Sequence, residues 1–141
     1  MLSELMSKET CASCRYCCSF KRTSLWEVPA FPEDVIKKMT YQSANPEEEV
    51  PCPYLDRSVG CTLSETDKPF ECKLWPFRVM RKDGHLLMTI SIACPSIMTW
   101  ELEQLRSYAQ EKLKKPVRAY VDEHPDIVKD MMDGYIALIE I

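Results

Sequence analysis

The segment Cys11-Ala-Ser-Cys14-Arg-Tyr-Cys17-Cys18 places four thiols within eight residues. The remaining cysteines, Cys52, Cys61, Cys72 and Cys94, stand singly further along the chain. One short thiol-rich segment completed by remote thiols is the pattern of a cysteine-ligated metal site. A single cysteine reads equally well as a small buried core residue, but that account fails for four in eight. All eight cysteines are therefore candidate metal ligands. No Ser/His/Asp signature, paired-carboxylate motif or glycine-rich phosphate loop is present, and only three glycines are available to build one.

Spacing limits how the first segment can bind. A straight α-helix rises about 1.5 Å per residue, so Cys11 and Cys18 would stand roughly 10 Å apart along it. One tetrahedral zinc needs its sulfurs within about 4 Å of each other, given Zn–S bonds of about 2.3 Å. The segment is thus a loop or partial turn wrapped round one site, or its thiols divide between two. The C-x2-C-x2-C run is also the spacing by which ferredoxins wrap a [4Fe–4S] cluster, with a remote Cys-Pro following. Cys52-Pro53 and Cys94-Pro95 are both such pairs. The expected cofactor is an iron–sulfur cluster or iron, with zinc as the alternative. Eight thiols exceed the four of one structural zinc.

Composition narrows the class. A chain of 141 residues, 45% hydrophobic, can bury a modest core. The formal charge of −4 argues against a general nucleic-acid or membrane-surface binder. The first ten residues mix charges with few apolar side chains, without an h-region, and no later stretch reaches membrane-spanning length. The expected location is the reducing cytoplasm, where cysteines are more often ligands or nucleophiles than disulfides.

Between the cysteines the sequence suggests short elements. Residues 24–28 read as a strand. Phe31 to Met39 reads as a helix with Pro32 and acids in its first turn. Residues 44–51 read as an acidic, proline-flanked loop. A hairpin centred between Asp56 and Arg57 would pair residues whose numbers sum to 113, setting Cys52 opposite Cys61. Directly opposed Cβ atoms lie about 5 Å apart. A second hairpin turns at Asp83-Gly84 and pairs numbers summing to 167. It sets Cys94 opposite Lys73, next to Cys72, although Pro76 must disturb the ladder there. The two registers predict that all eight sulfurs share one neighbourhood, with Cys17 or Cys18 as the spectator.

With Cys72-Lys-Leu-Trp-Pro-Phe77 in place, the motifs resemble those of the CxxCxxCC cysteine-cluster family, YkgJ type, described as zinc- or iron-chelating. The resemblance runs from Cys11, Cys14, Cys17 and Cys18, through Cys52-Pro-Tyr-Leu and Gly60-Cys-Thr-Leu, to Lys68-Pro-Phe-Glu-Cys72-Lys73-Leu-Trp-Pro76-Phe77. It covers roughly residues 11–95. Lys68 and Lys73 replace the arginines of the pattern, keeping the charge without the bidentate fork. Flagellin lysine-N-methylases carry a similar cysteine module. The resemblance thus implies metal chelation and leaves room for a redox or protein-modifying role.

The C-terminal third lies outside the cysteine motifs. Ser96 to Lys115 reads as a helix with Met98, Leu102, Leu105, Ala109 and Leu113 in one stripe, closed by Pro116. Residues 117–123 add another turn or two. Asp126 to Ile139 reads as a final helix with Ile127, Val128, Met131, Tyr135 and Leu138 inward. His85 and His124 lack metal-ligand spacing.

The expected fold is α+β: one small domain spanning residues 1–141. Short antiparallel hairpins surround a cysteine-ligated metal site in residues 11–95, and helices fill residues 96–141. Three functions remain open: an iron–sulfur or iron protein, a structural zinc-binding interaction module, and a thiol-redox protein using Cys17–Cys18 or a C-x-x-C pair. A protein partner or substrate is compatible with each; nucleic acid and membrane are not expected.

Overall fold

A computed structural model describes residues 2–14, 16–21, 45 and 47–141. The strand expected at 24–28 and the helix expected at 31–39 lie outside the described residues. The fold is α+β, with short antiparallel strands and helices. The described residues divide into two compact units, one within Ser3–Lys73 and one of Leu74–Ile141 with Leu2.

The cysteine-rich unit follows a helical turn, α1 (Leu2–Leu5), with α2 (Lys8–Cys14). Ser7 starts α2. Its hydroxyl accepts the Thr10 N–H and its carbonyl accepts the Cys11 N–H, which satisfies donors the first turn leaves open. A 3-10 turn (Tyr16–Cys18) leads into β1 (Ser19–Lys21). β1 pairs antiparallel with β2 (Glu49–Pro51), so part of the expected acidic loop is a strand. Phe20 and Val50 face each other across this pair and, with Cys52, are the buried centre of the unit. A tight hairpin of β3 (Leu55–Asp56) and β4 (Gly60–Cys61) follows, then α3 (Phe70–Leu74) at the unit's boundary.

The other unit is built on the β5 (Phe77–Lys82) and β6 (His85–Ser91) hairpin. Asp83 and Gly84 both take positive φ, as a two-residue turn of this kind requires. The observed pairs Phe77↔Ile90 through Lys82↔His85 match the expected register. The ladder passes Pro76 by using its carbonyl, which accepts the Ser91 N–H at 2.9 Å. It then stops, because residues 70–74 are helical, so Lys73 has no ladder partner. β7 (Lys129–Asp130) joins β5 in parallel and β8 (Tyr135–Glu140) joins β6 antiparallel, giving the order β7-β5-β6-β8. Met80 and Met88 are fully buried in the central strands.

Two C-terminal expectations are corrected. The helix does not begin at Ser96: a 3-10 turn (Ile97–Thr99) is followed by extended backbone at Trp100 and Glu101. α4 (Leu102–Tyr108) starts there, with the Gln104 side chain accepting the Glu101 N–H. Met98 and Leu102 consequently stay exposed. Nor does Pro116 stop the helix. A π turn (Ala109–Leu113) precedes α5 (Lys114–Glu123), which puts Pro116 in the first turn of the new segment, where a missing N–H is tolerated. Leu105, Ala109, Leu113, Val117 and Val121 all remain buried. Steps of four would drift about 40° each on a 3.6-residue helix, and the wider turn takes back part of that drift.

The second correction concerns residues 126–139, which form no α-helix. After a 3-10 turn (Pro125–Ile127), the chain makes two strands separated by Gly134 at φ +87°. The run Tyr135-Ile-Ala-Leu-Ile-Glu140 suits a strand at the β6 edge, where pairing supplies hydrogen bonds that local periodicity does not report. Among the described residues, no helix is long and apolar enough to cross a membrane.

Candidate metal centre

Seven of the eight cysteines fall in the Ser3–Lys73 unit. α2 carries Cys11 and Cys14, the 3-10 turn carries Cys17 and Cys18, Cys52 follows β2, Cys61 ends β4, and Cys72 sits in α3. α2 ends at Cys14 and the 3-10 turn starts at Tyr16, so Cys11 and Cys18 do not lie on one straight helix. α2 is held against β4 where Gly60 meets Ala12. A Cβ on Gly60 would stand 3.2 Å from the Ala12 Cβ, and Gly60 has φ +85°. Glycine is needed there on both counts.

The expected Cys52–Cys61 register is corrected. The observed pairs are Leu55↔Cys61 and Asp56↔Gly60, whose numbers sum to 116. The Asp56 carboxylate accepts the backbone N–H groups of Ser58 and Val59 and the Ser58 hydroxyl, so the turn lies beyond Asp56 and not around it. Cys52 has a different cross-strand neighbour. Extending the β1–β2 register, whose pairs sum to 70, sets Cys52 opposite Cys18, and the Cys52 N–H donates to the Cys18 carbonyl at 2.7 Å. Cys18 and Cys72 pack against the core formed by Phe20, Val50 and Cys52.

The thiols also sense one another. The Cys17 thiol donates to Cys18, and this hydrogen bond, opposed by burial and helped by the Lys68 charge, brings Cys18 down to about 7. The same bond pushes Cys17 up, reinforced by burial and by the charges of Cys18, Cys11 and Cys72. Burial raises Cys52 to about 11, with Cys18 and Cys61 adding to it. Burial likewise raises Cys72 to about 12, reinforced by Cys52, Cys18, Cys61 and Glu71. Six cysteines, Cys11, Cys17, Cys18, Cys52, Cys61 and Cys72, are thus within electrostatic reach in one network.

Lys68 belongs to this network, and sequence reading passed over it except as a departure from the arginine of the resemblance. Burial of its ammonium is outweighed by the Glu65 carboxylate and by Cys61 and Cys72, so its pKa is raised and it stays charged. Glu71 was also missed; its Oε2 is buried with no hydrogen-bond partner among the described residues.

Cys14 is exposed at the end of α2. Cys94 is buried in the other unit, where its carbonyl accepts the Met98 N–H. His85 is ion-paired with Glu140 and His124 packs against the Tyr120 ring.

The donor chemistry of the network suits a thiophilic ion, because its six members are sulfurs. Its geometry is not that of a closed ligand set: among the described residues, no three Cys, His, Asp or Glu side chains are grouped so as to hold a metal ion. Binding would draw the sulfurs together and displace the protons that burial keeps on Cys52 and Cys72. Compared with known proteins, the chain matches no family model, no curated protein and no solved structure.

Proposed function

We propose that this protein binds a thiophilic metal, as an iron–sulfur cluster or iron, through thiols of its N-terminal unit. The observation that carries the reading is the gathering of Cys11, Cys17, Cys18, Cys52, Cys61 and Cys72 from α2, the 3-10 turn, the β2 end, β4 and α3. Scattered core cysteines have no reason to meet in this way. Cys14 stands at the exposed end of α2 and completes the candidate set within the unit. Lys68 offsets part of the charge that several thiolates would bring. The motif resemblance points the same way.

A structural zinc is the second reading. Among the described residues, Phe20, Val50 and Cys52 form the buried cluster on which Cys18 and Cys72 pack. Thiols set against a buried cluster favour a metal whose binding is coupled to folding. Anaerobic purification followed by iron, zinc and acid-labile sulfide analysis separates the two. Iron with sulfide and visible absorbance supports the cluster. Stoichiometric zinc without sulfide supports the structural site. Absence of both metals from the reduced protein, even after reconstitution, overturns the proposal.

A further inference from the structure

We infer that Cys18 and Cys52 form a reversible cross-strand disulfide on exposure to peroxide, and that this bond withdraws two sulfurs from the metal site. Formation of the bond rests on strand geometry. Only its effect on metal rests on the function proposed above.

The geometry begins with Pro51, which has no N–H and sits opposite Ser19 at a position where the ladder needs none. The Phe20–Val50 pair is therefore the hydrogen-bonded kind, and one bond carries the ladder beyond Pro51, from the Cys52 N–H to the Cys18 carbonyl, while the Cys52 carbonyl accepts the Leu55 N–H. Phe20 and Val50 are paired across β1 and β2, and Cys18, the last residue of the 3-10 turn before β1, flanks them together with Cys52, the residue after β2. Phe20, Val50 and Cys52 form the buried cluster and Cys18 packs on it. Cys18 and Cys52 thus lie against the same buried cluster at the end of the ladder, joined by a backbone hydrogen bond.

Distance decides which thiols can bridge. Opposed residues of a hydrogen-bonded antiparallel pair have Cα atoms about 5.5 Å apart, inside the roughly 4.4–6.8 Å that a disulfide spans. The vicinal Cys17 and Cys18 are held about 3.8 Å apart by their shared trans peptide, which is too close. Cβ atoms in a directly opposed pair are typically about 4.5–5.5 Å apart, whereas a disulfide takes about 3.5–4.5 Å. The bridge must pull the strands slightly together. A disulfide closed under such strain is readily reduced, which suits regulation better than permanent stapling.

The oxidation balances with hydrogen peroxide as the oxidant. The Cys18 sulfur attacks one peroxide oxygen, the O–O bond breaks, and a sulfenic acid and one water result. The Cys52 sulfur then displaces the sulfenic hydroxyl, the S–S bond forms, and a second water leaves. Two thiols lose two electrons and two protons in all. A dithiol reductant reverses the step.

The test uses the full-length, reduced, metal-free protein, treated with equimolar hydrogen peroxide, blocked with iodoacetamide and digested with trypsin for mass spectrometry. The expected product joins the Tyr16–Lys21 peptide to the Met39–Arg57 peptide, with fragment ions placing the link on Cys18. The link survives in Cys17→Ser, is abolished in Cys52→Ala and disappears with dithiothreitol. A dominant link to the peptide carrying Cys61 and Cys72, a Cys17–Cys18 bond, or no link overturns the proposal, and these outcomes are read on the wild-type chain. Zinc uptake is then compared before and after oxidation, with reduced uptake expected in the oxidised protein. Equal uptake with the link present overturns the withdrawal of the two sulfurs. A link forming in a protein that never takes up metal leaves the disulfide standing and sinks the metal-binding reading instead.

Discussion

Replacing Gly60 by alanine tests how α2 is anchored to the cysteine hairpin. Two costs add. Gly60 has φ +85°, and an L-residue in that region is disfavoured by roughly 1–2 kcal/mol. A loss of unfolded-state freedom returns about 0.4–1 kcal/mol of that. The new methyl would then sit 3.2 Å from the Ala12 Cβ and 3.3 Å from its Cα. Those atoms belong to a helix backbone and its first side-chain carbon, so no flexible tip can move aside, and overpacking of this kind costs about 1–3 kcal/mol. Gly84→Ala is the control. Its φ is +82°, but a Cβ there meets nothing within 4 Å. The expectation is about 1 kcal/mol for Gly84→Ala and about 2–3 kcal/mol for Gly60→Ala. Native-state hydrogen exchange reads both locally, at about tenfold in opening equilibrium per 1.4 kcal/mol. For Gly60→Ala the reporters are the Cys11 amide, bonded to Ser7, and the Thr62 amide, bonded to Tyr54. For Gly84→Ala they are amides along the β5–β6 ladder. Equal losses at the two sites, or a Gly60→Ala loss that spares Cys11, would refute the close-approach argument.

Three further outcomes are expected. At pH 7.5 iodoacetamide should modify Cys18, whose thiol lies near 7, faster than Cys52 near 11 or Cys72 near 12; comparable rates for the three would count against the Cys17–Cys18 hydrogen bond. The Glu140 carboxylate raises His85 above the usual imidazole range, so this contact stabilises the β6–β8 edge at pH below the unfolded value and is lost as pH rises through the folded one. An NMR titration should accordingly find the His85 midpoint falling in Glu140→Gln, and an unmoved midpoint would show that the pair does not persist in solution. Finally, Met80→Ala should cost about 2–5 kcal/mol in urea denaturation, because a fully buried side chain is deleted from the central sheet; a cost below that range would mean the site collapses around the gap.

What could be read from the sequence was what the chain decides locally. Asp83-Gly84 fixes its own turn, and six ladder pairs follow from it without help from elsewhere. Asp56 misled for an equally local reason: its carboxylate accepts the N–H groups of Ser58 and Val59 and Gly60 takes a positive φ, which moves the pairing sum from 113 to 116. The segment 126–139 misled for a non-local one. Its apolar spacing fits a helix, but the open edge of β6 offers Tyr135–Glu140 a ladder, and that pairing overrides periodicity.

The cysteines divide along the same line. Cysteine spacing suggested a shared site, and six of the thiols fall in one electrostatic network. Hairpin registers chose the wrong neighbour for Cys52, because its position depends on strands far apart in the chain. The pairing of Cys18 with Cys52 is set by Phe20, Val50 and Pro51: two apolar residues that need one buried face and a proline that must occupy a non-bonded ladder position. None of these residues is a cysteine or part of the cysteine motif. The chemistry of the site is therefore written in its thiols, whereas the choice of partner for Cys18 is written in the small β1–β2 core that carries it. Changing Pro51 or Val50 should disturb that choice while every sulfur stays in place.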